Sequence, residues 1–356
     1  MIVLGVPVCG RSALGMRKVL VTGATGFIGA NVARLLVERG EDVRVLVRPA
    51  SDRGNVADLP VEVAVGDLRD AEAVRRAIEG CHRVFHVAAD YRFWARDPRE
   101  LYRSNVEGTT HVMEACLAAG VERVVHTSTV GTIGLASLPQ PCDETTPLLE
   151  GQLTSHYKRS KLEAEQVALA YAARGLPVVV VNPSAPVGPW DAKPTPTGQI
   201  IVDFARGKLV AVVDTGLNVV HVRDVAEGHL LAAERGRVGE RYILGHRNMT
   251  LAEILAELAD ITGRPAPHVR LPYAVAWTAG ALSTAMANWV THRPPAVALE
   301  AVRMARRRMF FDASKAVREL GLPQTPVRAA FEEAVTWFEA RGLIPRSRRR
   351  VAWASR

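Results

Sequence analysis

Tyr157 and Lys161 stand four residues apart in "HYKRSK". In a helix that spacing puts both side chains on one face. A phenol titrating near pH 10 does little acid–base work at neutral pH. A neighbouring ammonium stabilises the phenolate and lowers its pKa. Tyr157 could then give a proton to a carbonyl, or take one from a carbinol, during hydride transfer. Lys161 could also hold a cofactor ribose. A lone YxxxK pair is more often surface decoration, but this one follows the run "HTSTVG", which offers hydroxyls at Thr127, Ser128 and Thr129. One of them could hydrogen-bond the reacting oxygen and orient it.

A second group of residues suggests what supplies the hydride. In "VTGATGFIGA" the glycines Gly23, Gly26 and Gly29 fall between an apolar run, Val19–Val21, and a helical pattern of Ile28, Val32, Leu35 and Leu36. The first turn of a helix has unpaired N–H groups, and its dipole favours negative charge. Glycine there lets a pyrophosphate approach the backbone. The context of strand, turn, helix and second strand makes the motif informative. An acid about 20 residues on would bind the adenosine ribose. Here Arg48 holds that place, at the end of "VRVLV". A guanidinium pairs with a 2′-phosphate, so NADP(H) is preferred and NAD(H) is the alternative. Asp52, four residues later, is a competing acid.

These residues need strands and helices to position them. Valine-rich runs at 19–22, 43–47, 61–65, 83–87, 124–127 and 178–182 read as strands. Helical patterns lie between them at 31–39, 71–79, 98–119 and 154–174. This alternation predicts an α/β fold, a Rossmann-type doubly wound parallel sheet covered on both faces. The proline-rich "NPSAPVGPWDAKPTPTG" reads as a long ordered loop without helix. "VVHVRDVAEGHLLAAERG" reads as a strand returning to the sheet and then a helix. The expected organisation is an N-terminal extension (1–16) and a dinucleotide-binding domain (17–183 plus about 218–245). A smaller, mainly helical substrate domain (184–217 plus 246–344) and a basic tail (345–356) complete it.

The chain has 356 residues, 48% hydrophobic and 23% charged, enough for one large domain or two intimate ones. Its four cysteines, Cys9, Cys81, Cys116 and Cys142, form no CxxC pair, so neither a disulfide framework nor a metal site is expected. Six arginines and no acid lie between Arg341 and Arg356, so the formal charge of +8 leaves about +2 (8 − 6) on the rest. A nucleic-acid-binding body is therefore not expected. The tail reads as a solvated end, with weak contact to a membrane surface as the alternative. No basic residue precedes the apolar run at the N-terminus, so a cytoplasmic location is expected. Leu271–His292 carries no charged residue. Its polar residues and Pro272 favour a buried or lid helix over a membrane span.

The chain resembles extended short-chain dehydrogenases/reductases. The resemblance rests on TGxxGxxG at 22–29, "GDL" at 66–68, "HVAA" at 86–89, "SNVEGT" at 104–109, the hydroxyls at 127–129, Tyr157 with Lys161, and "HVRDVA" at 221–226. "NPSAPVGP" and "KPTPTG" are most similar to hopanoid-associated sugar epimerases, a branch itself similar to dihydroflavonol-4-reductases. The resemblance implies that Gly23, Thr25, Gly26, Phe27, Ile28 and Gly29 form the cofactor loop. It implies that Asp67 and Leu68 border the adenine, that Ala88, Ala89 and Asn105 line the cofactor, and that Pro183 and Ser184 approach the nicotinamide beside Lys161. Thr129 is the implied catalytic hydroxyl, with Ser128 as runner-up. Tyr91, Phe93 and Trp94 would face the substrate.

Three departures narrow the reaction. Family dehydratases place an Asp-Glu pair after the catalytic threonine, where this chain has Val130 and Gly131. Nucleotide-sugar epimerases carry Asn and Tyr where it has Ala185 and Val187. Arg48 suits a cofactor exchanged at every turnover. The leading expectation is an NADPH-dependent reductase of a ketone or aldehyde. The alternatives are a sugar or nucleotide-sugar epimerase working through a transient ketone, and a non-enzymatic dinucleotide sensor. A homodimer through the helices at 98–119 and 154–174 is the family's common assembly.

Overall fold

The computed structural model describes residues 17–346 apart from 93, 136–139, 210, 268, 270, 292, 294, 296–298 and 305. The expected extension 1–16, most of the basic tail, Cys9 and Phe93 lie outside the described residues.

The first half alternates as its valine runs predict. In chain order come β1 (Lys18–Thr22), α1 (Phe27–Glu38), β2 (Val43–Val47), β3 (Glu62–Val65), α2 (Ala71–Ile78) and β4 (Cys81–His86). Then follow α3 (Arg99–Tyr102), α4 (Gly108–Ala118), β5 (Arg123–Thr127), α5 (His156–Ala173) and β6 (Val178–Pro183). Together with β9 (Arg241–Leu244) the strands form a seven-stranded sheet in the order β3-β2-β1-β4-β5-β6-β9. Every pairing in it is parallel. Successive residues serve opposite faces. Val19 and Val21 of β1 join a cluster with Leu35 of α1 and Leu230, while Leu20 joins Val74 of α2 and Val112 of α4. Both faces are covered, which is why these strands read as unbroken apolar runs. The strand order reverses between β1 and β4, and the crevice beyond their carboxyl ends is where such sheets bind ligands.

Two sequence expectations are corrected beyond β6. The proline-rich stretch contains a short strand, β7 (Ala185–Val187), and the first turn of a helix, α6 (Pro196–Ala205). Pro196 opens that helix at its first position, where a missing N–H is harmless, and Thr195 caps it by accepting from Gly198 N. The strand of "VVHVRD", β8 (Gly216–His221), does not return to the main sheet. It pairs with β7 and with β10 (Arg247–Thr250) in a separate three-stranded sheet. The elements that do rejoin the main sheet's layers are α7 (Val222–Arg235), packed on α1, and β9.

The later helices are α8 (Leu251–Thr262), α9 (Tyr273–Met286), α10 (Leu299–Met304), α11 (Ser314–Leu320) and α12 (Val327–Ala340). A third apolar cluster joins α6, α8 and α12 to the small sheet through Ile201, Phe204, Val219, Leu255, Phe331 and Phe338. The uncharged segment is α9 followed by a π turn at Ala287–Thr291. It is not a buried helix. Small residues, Ala276, Gly280 and Ala287, face inward, and its large apolar side chains are exposed. Among the described residues no helix is long and apolar enough to cross a membrane.

Candidate active site

The glycine loop links β1 to α1, with Gly26 as the helix N-cap. Gly23 adopts φ +73°, and a Cβ there would stand 2.6 Å from Ala88 N. A Cβ on Gly29 would stand 2.2 Å from Gly23 O. Two of the three glycines are thus required by close backbone packing, and the loop stays thin above the helix N-terminus. The first turn of α1 carries no acid. A bare, positive helix end under a loop without side chains fits a dinucleotide pyrophosphate.

The end of β4 is tied into the same place by a chain of hydrogen bonds. Thr22 Oγ1 bonds His86 Nδ1 at 2.9 Å, and His86 Nε2 bonds Thr109 Oγ1 at 3.0 Å. Thr109 in turn donates to Asn105 O at 2.6 Å. Burial pushes the His86 imidazole down to about 3, so it stays neutral and can donate from one nitrogen while accepting at the other. Asn105 lies in a π turn, Arg103–Glu107, between α3 and α4. Its Oδ1 accepts from Asp90 N at 2.7 Å, and its Nδ2 donates to Asp90 O and to Ser160 Oγ, both at 3.0 Å. One amide therefore fixes the loop carrying Ala88 and Ala89 to the helix carrying Tyr157. Such π turns recur at functional sites.

α5 begins at His156, capped by Ser155, so Tyr157 sits in its first turn. The Tyr157 phenol is hydrogen-bonded to the Thr129 side chain. Ser128 faces another way, with its Oγ 3.4 Å from Thr132 Oγ1. Burial pushes the phenol up to about 12, partly offset by the bond to Thr129. This corrects the expectation that Lys161 lowers it. Lys161 Nζ donates to Thr127 O at 2.8 Å, and burial brings the amine down to about 8.

A buried polar network under the Thr129 loop was missed by sequence reasoning. Glu165 Oε2 accepts from Thr132 Oγ1 at 2.7 Å and from Asn182 Nδ2 at 2.9 Å, while Arg241 Nη1 donates to Oε1 at 3.2 Å. Asn182 Nδ2 also donates to Thr129 O at 3.1 Å. One signal was available, because Glu165 is one turn beyond Lys161 on the same face. Nothing in the sequence announced Arg241.

The remaining expected residues are dispersed around this centre. Arg48 is exposed at the end of β2. Its neighbour Asp67 is bound by Arg69, Nη2 to Oδ2 at 2.7 Å. That bond holds the Asp67 carboxyl below its usual range, and the charge of Arg48 adds a smaller push the same way. Asp52 accepts from Gly54 N at 2.9 Å within its own turn. Leu68 packs where a Cβ on Gly108 would fall, 2.9 Å from its own Cβ. Ser184 N donates to Leu244 O at 3.1 Å, which seats the residue after Pro183 on the end of β9. Tyr91 is 46% exposed. Trp94 donates from Nε1 to Asn288 Oδ1 at 2.7 Å. With Asn288, Trp289, Thr154 and His156 it lines a cavity of about 470 Å³ beside the first turn of α5. The cavity wall does not include Tyr157 or Thr129.

A further clamp was also missed. Trp190 adopts φ +76°, which is unusual for a bulky residue. Arg34 lies over its ring at 3.3 Å. Asn55 Nδ2 donates to both Thr25 O, at 3.1 Å, and Trp190 O, at 3.0 Å.

A parallel sheet with a glycine loop at its switch point, and Tyr157 facing Thr129 one helical turn from Lys161, describes a nicotinamide-dependent enzyme of the extended short-chain dehydrogenase/reductase type. The chain belongs to the NAD dependent epimerase/dehydratase family, whose model matches residues 19–245. It is 47% identical over 332 residues to a Synechocystis protein provisionally named a dihydroflavonol 4-reductase, covering 91% of this chain and 95% of that one. It is 40% identical over 330 residues to sterol demethylase protein B of Methylococcus capsulatus, covering 91% and 99%. Among solved structures, gox2253 matches at 48% identity with a TM-score of 0.82, over 92% of this chain and 99% of that one. A nucleoside-diphosphate-sugar epimerase from Pseudomonas aeruginosa matches at 27% identity with a TM-score of 0.76, over the same shares of each chain.

Proposed function

We propose that this enzyme is an NADPH-dependent reductase of an apolar ketone or aldehyde. The observation that carries the reading is the Tyr157–Thr129 pair followed directly by Val130 and Gly131. A phenol held near 12 is protonated at neutral pH, the form that donates to a carbonyl oxygen. When bound, the nicotinamide cofactor supplies hydride to the carbonyl carbon. Tyr157 gives its proton to the oxygen, so hydride and proton add across the double bond to make a carbinol. Thr129 orients the same oxygen, and Lys161 holds the cofactor ribose.

The loop from Gly23 to Gly29, with Thr25, Phe27 and Ile28, receives the pyrophosphate, and Arg48 the 2′-phosphate. Asp67, Leu68, Ala88, Ala89, Pro183 and Ser184 line the cofactor, and Asn105 fixes the loop that does so. The substrate enters between the dinucleotide-binding part (17–183 with α7 and β9) and the part built from 184–221 and 246–344. Tyr91 and Trp94 lie on its path. Ala185 and Val187, in place of an amide and a phenol, remove grips for a nucleotide sugar. Buried polar groups of such a ligand left unpaired cost about 1–3 kcal/mol each. The names of the Synechocystis and Methylococcus relatives suit an apolar carbonyl compound.

The second reading is a sugar epimerase that uses the same residues and retains its cofactor. The match to the Pseudomonas epimerase favours it. Two measurements separate the readings. A reductase purifies without bound nicotinamide, oxidises added NADPH with members of a carbonyl panel, and binds UDP-sugars more weakly than about 1 mM, −4 kcal/mol. Micromolar calorimetric binding of a UDP-sugar, with interconversion of its epimers and no added cofactor, establishes the epimerase instead.

A further inference from the structure

The uncharged helix α9 and its π turn present an apolar ridge to the outside. Leu282 is 71% exposed, Met286 56%, Trp289 81% and Val290 72%, with Val275 on the same side of the helix. The opposite side is consumed by packing. A Cβ on Gly280 would stand 3.0 Å from Val302 of α10, and Thr284 Oγ1 accepts from Leu299 N at 2.9 Å. Exposed apolar side chains in this number, on one element, mark a docking surface.

The charges around the ridge say what it docks on. Between residues 271 and 311 there is one acid, Glu300, and it is 8% exposed. The same stretch carries Arg293, Arg303, Arg306, Arg307 and Arg308. Arg293 and Arg303 are exposed, and so is Arg306, which lies over the ring of Tyr273 at the start of α9. Arg308 pairs with the exposed Asp214 at 2.9 Å, while Arg293, Arg303 and Arg306 are exposed and the one acid of their own stretch is not. An apolar ridge with an indole, followed in the chain by exposed arginines, suits an anionic lipid surface. A second copy of the chain is a poorer occupant. A two-fold interface on this ridge would bring Arg293, Arg303 and Arg306 toward their own counterparts, and their own stretch offers no exposed carboxylate to separate them.

We propose that the α9 ridge docks this enzyme on an anionic lipid surface, lying on it without crossing. The docked element reaches the substrate side directly. Asn288, in the π turn, is hydrogen-bonded to Trp94, and both residues line the 470 Å³ cavity beside α5 together with Trp289. Docking is independent of which reaction the site performs.

Vesicle co-sedimentation of the full chain tests this, with phosphatidylcholine alone against phosphatidylcholine and phosphatidylglycerol in equal parts. The protein is expected to partition onto the mixed vesicles and to be released by salt. Val275→Asp with Leu282→Asp is expected to lower that partition at least tenfold. Arg293→Gln, Arg303→Gln and Arg306→Gln together are expected to lower it by about a hundredfold, at about fivefold per arginine. Melting temperatures of the variants report folding, and if the aspartate pair melts early the arginine set carries the test. Absence of binding to the mixed vesicles overturns the proposal, as does binding that neither set changes. Loss of a dimer in light scattering on Leu282→Asp, with no vesicle binding by the parent, overturns it in favour of a second copy.

Discussion

Lys161 Nζ lies 2.8 Å from the carbonyl oxygen of Thr127 and spends a hydrogen bond on the strand end that precedes the Thr129 loop. The side chain opposite the Tyr157 phenol is Thr129, one residue beyond Ser128. The ammonium therefore braces the loop that holds the phenol's partner. Division of labour between these two residues leads to distinct outcomes for their variants.

Tyr157→Phe removes the proposed proton donor and leaves its ring in place. Turnover on the true substrate is expected to fall by about 10² or more, with melting temperature and NADPH affinity unchanged. Steady-state kinetics and a cofactor titration check this. Near-normal turnover would remove Tyr157 from the catalytic role.

Lys161→Met tests the burial of the amine. Burial brings its native pKa to about 8, below the 10.5 of an ordinary lysine, so between those values the unfolded chain binds more protons than the native one. Stability of the parent should then rise with pH across that window. The melting temperature of Lys161→Met relative to the parent is expected to be greatest near pH 7 and to shrink as pH approaches 10. A gap that stays constant would show that the amine is not depressed by burial.

Arg48→Ala is expected to weaken NADPH binding by about 1.5–3 kcal/mol, the scale of a hydrogen bond to a charged group, and to leave NADH nearly unaffected. Fluorescence titration with both cofactors decides it. Equal losses would mean that Arg48 does not meet the 2′-phosphate.

Glu165→Gln leaves Arg241 without its carboxylate in a largely buried network. A loss of about 3 kcal/mol, the low end for a broken buried pair, is expected in denaturant unfolding. Activity should fall with it because Gln keeps one acceptor oxygen where Glu165 uses two, so Arg241 on one side or Thr132 and Asn182, which hold the Thr129 loop, on the other meets an NH2 instead. Stability within 0.5 kcal/mol of the parent, roughly the scale of surface changes, would rule out a structural role for the network.

The main sheet was legible because each strand is buried on both faces, and burial writes itself into sequence as runs such as "VVVV" at 178–181. Residues after Pro183 were harder to read. Whether "VVH" joins one sheet or another depends on which edge is free, and β7, its partner, is three residues long and contains a proline. Tyr157, Lys161 and the glycines could be singled out in the sequence because the chemistry proposed for them depends on local spacing. The contacts of Glu165 with Arg241 and of Asn55 with Trp190 join residues 76 and 135 positions apart, and no local pattern reports such pairs.

The double donation by Asn55 has a mechanical side. A single nitrogen holds Thr25 O and Trp190 O, so its valence sets the spacing between the glycine loop and the segment entering α6. Neither carbonyl can drift from the other without breaking a bond, and the left-handed turn at Trp190 gives that joint little slack. One amide thus ties the position of the glycine loop to that of the segment at Trp190. A dinucleotide that loads the loop would set that segment before a substrate arrives, and ordered addition with cofactor first is the kinetic form of that coupling. Asn55→Ala should loosen the order toward random addition, read from product-inhibition patterns.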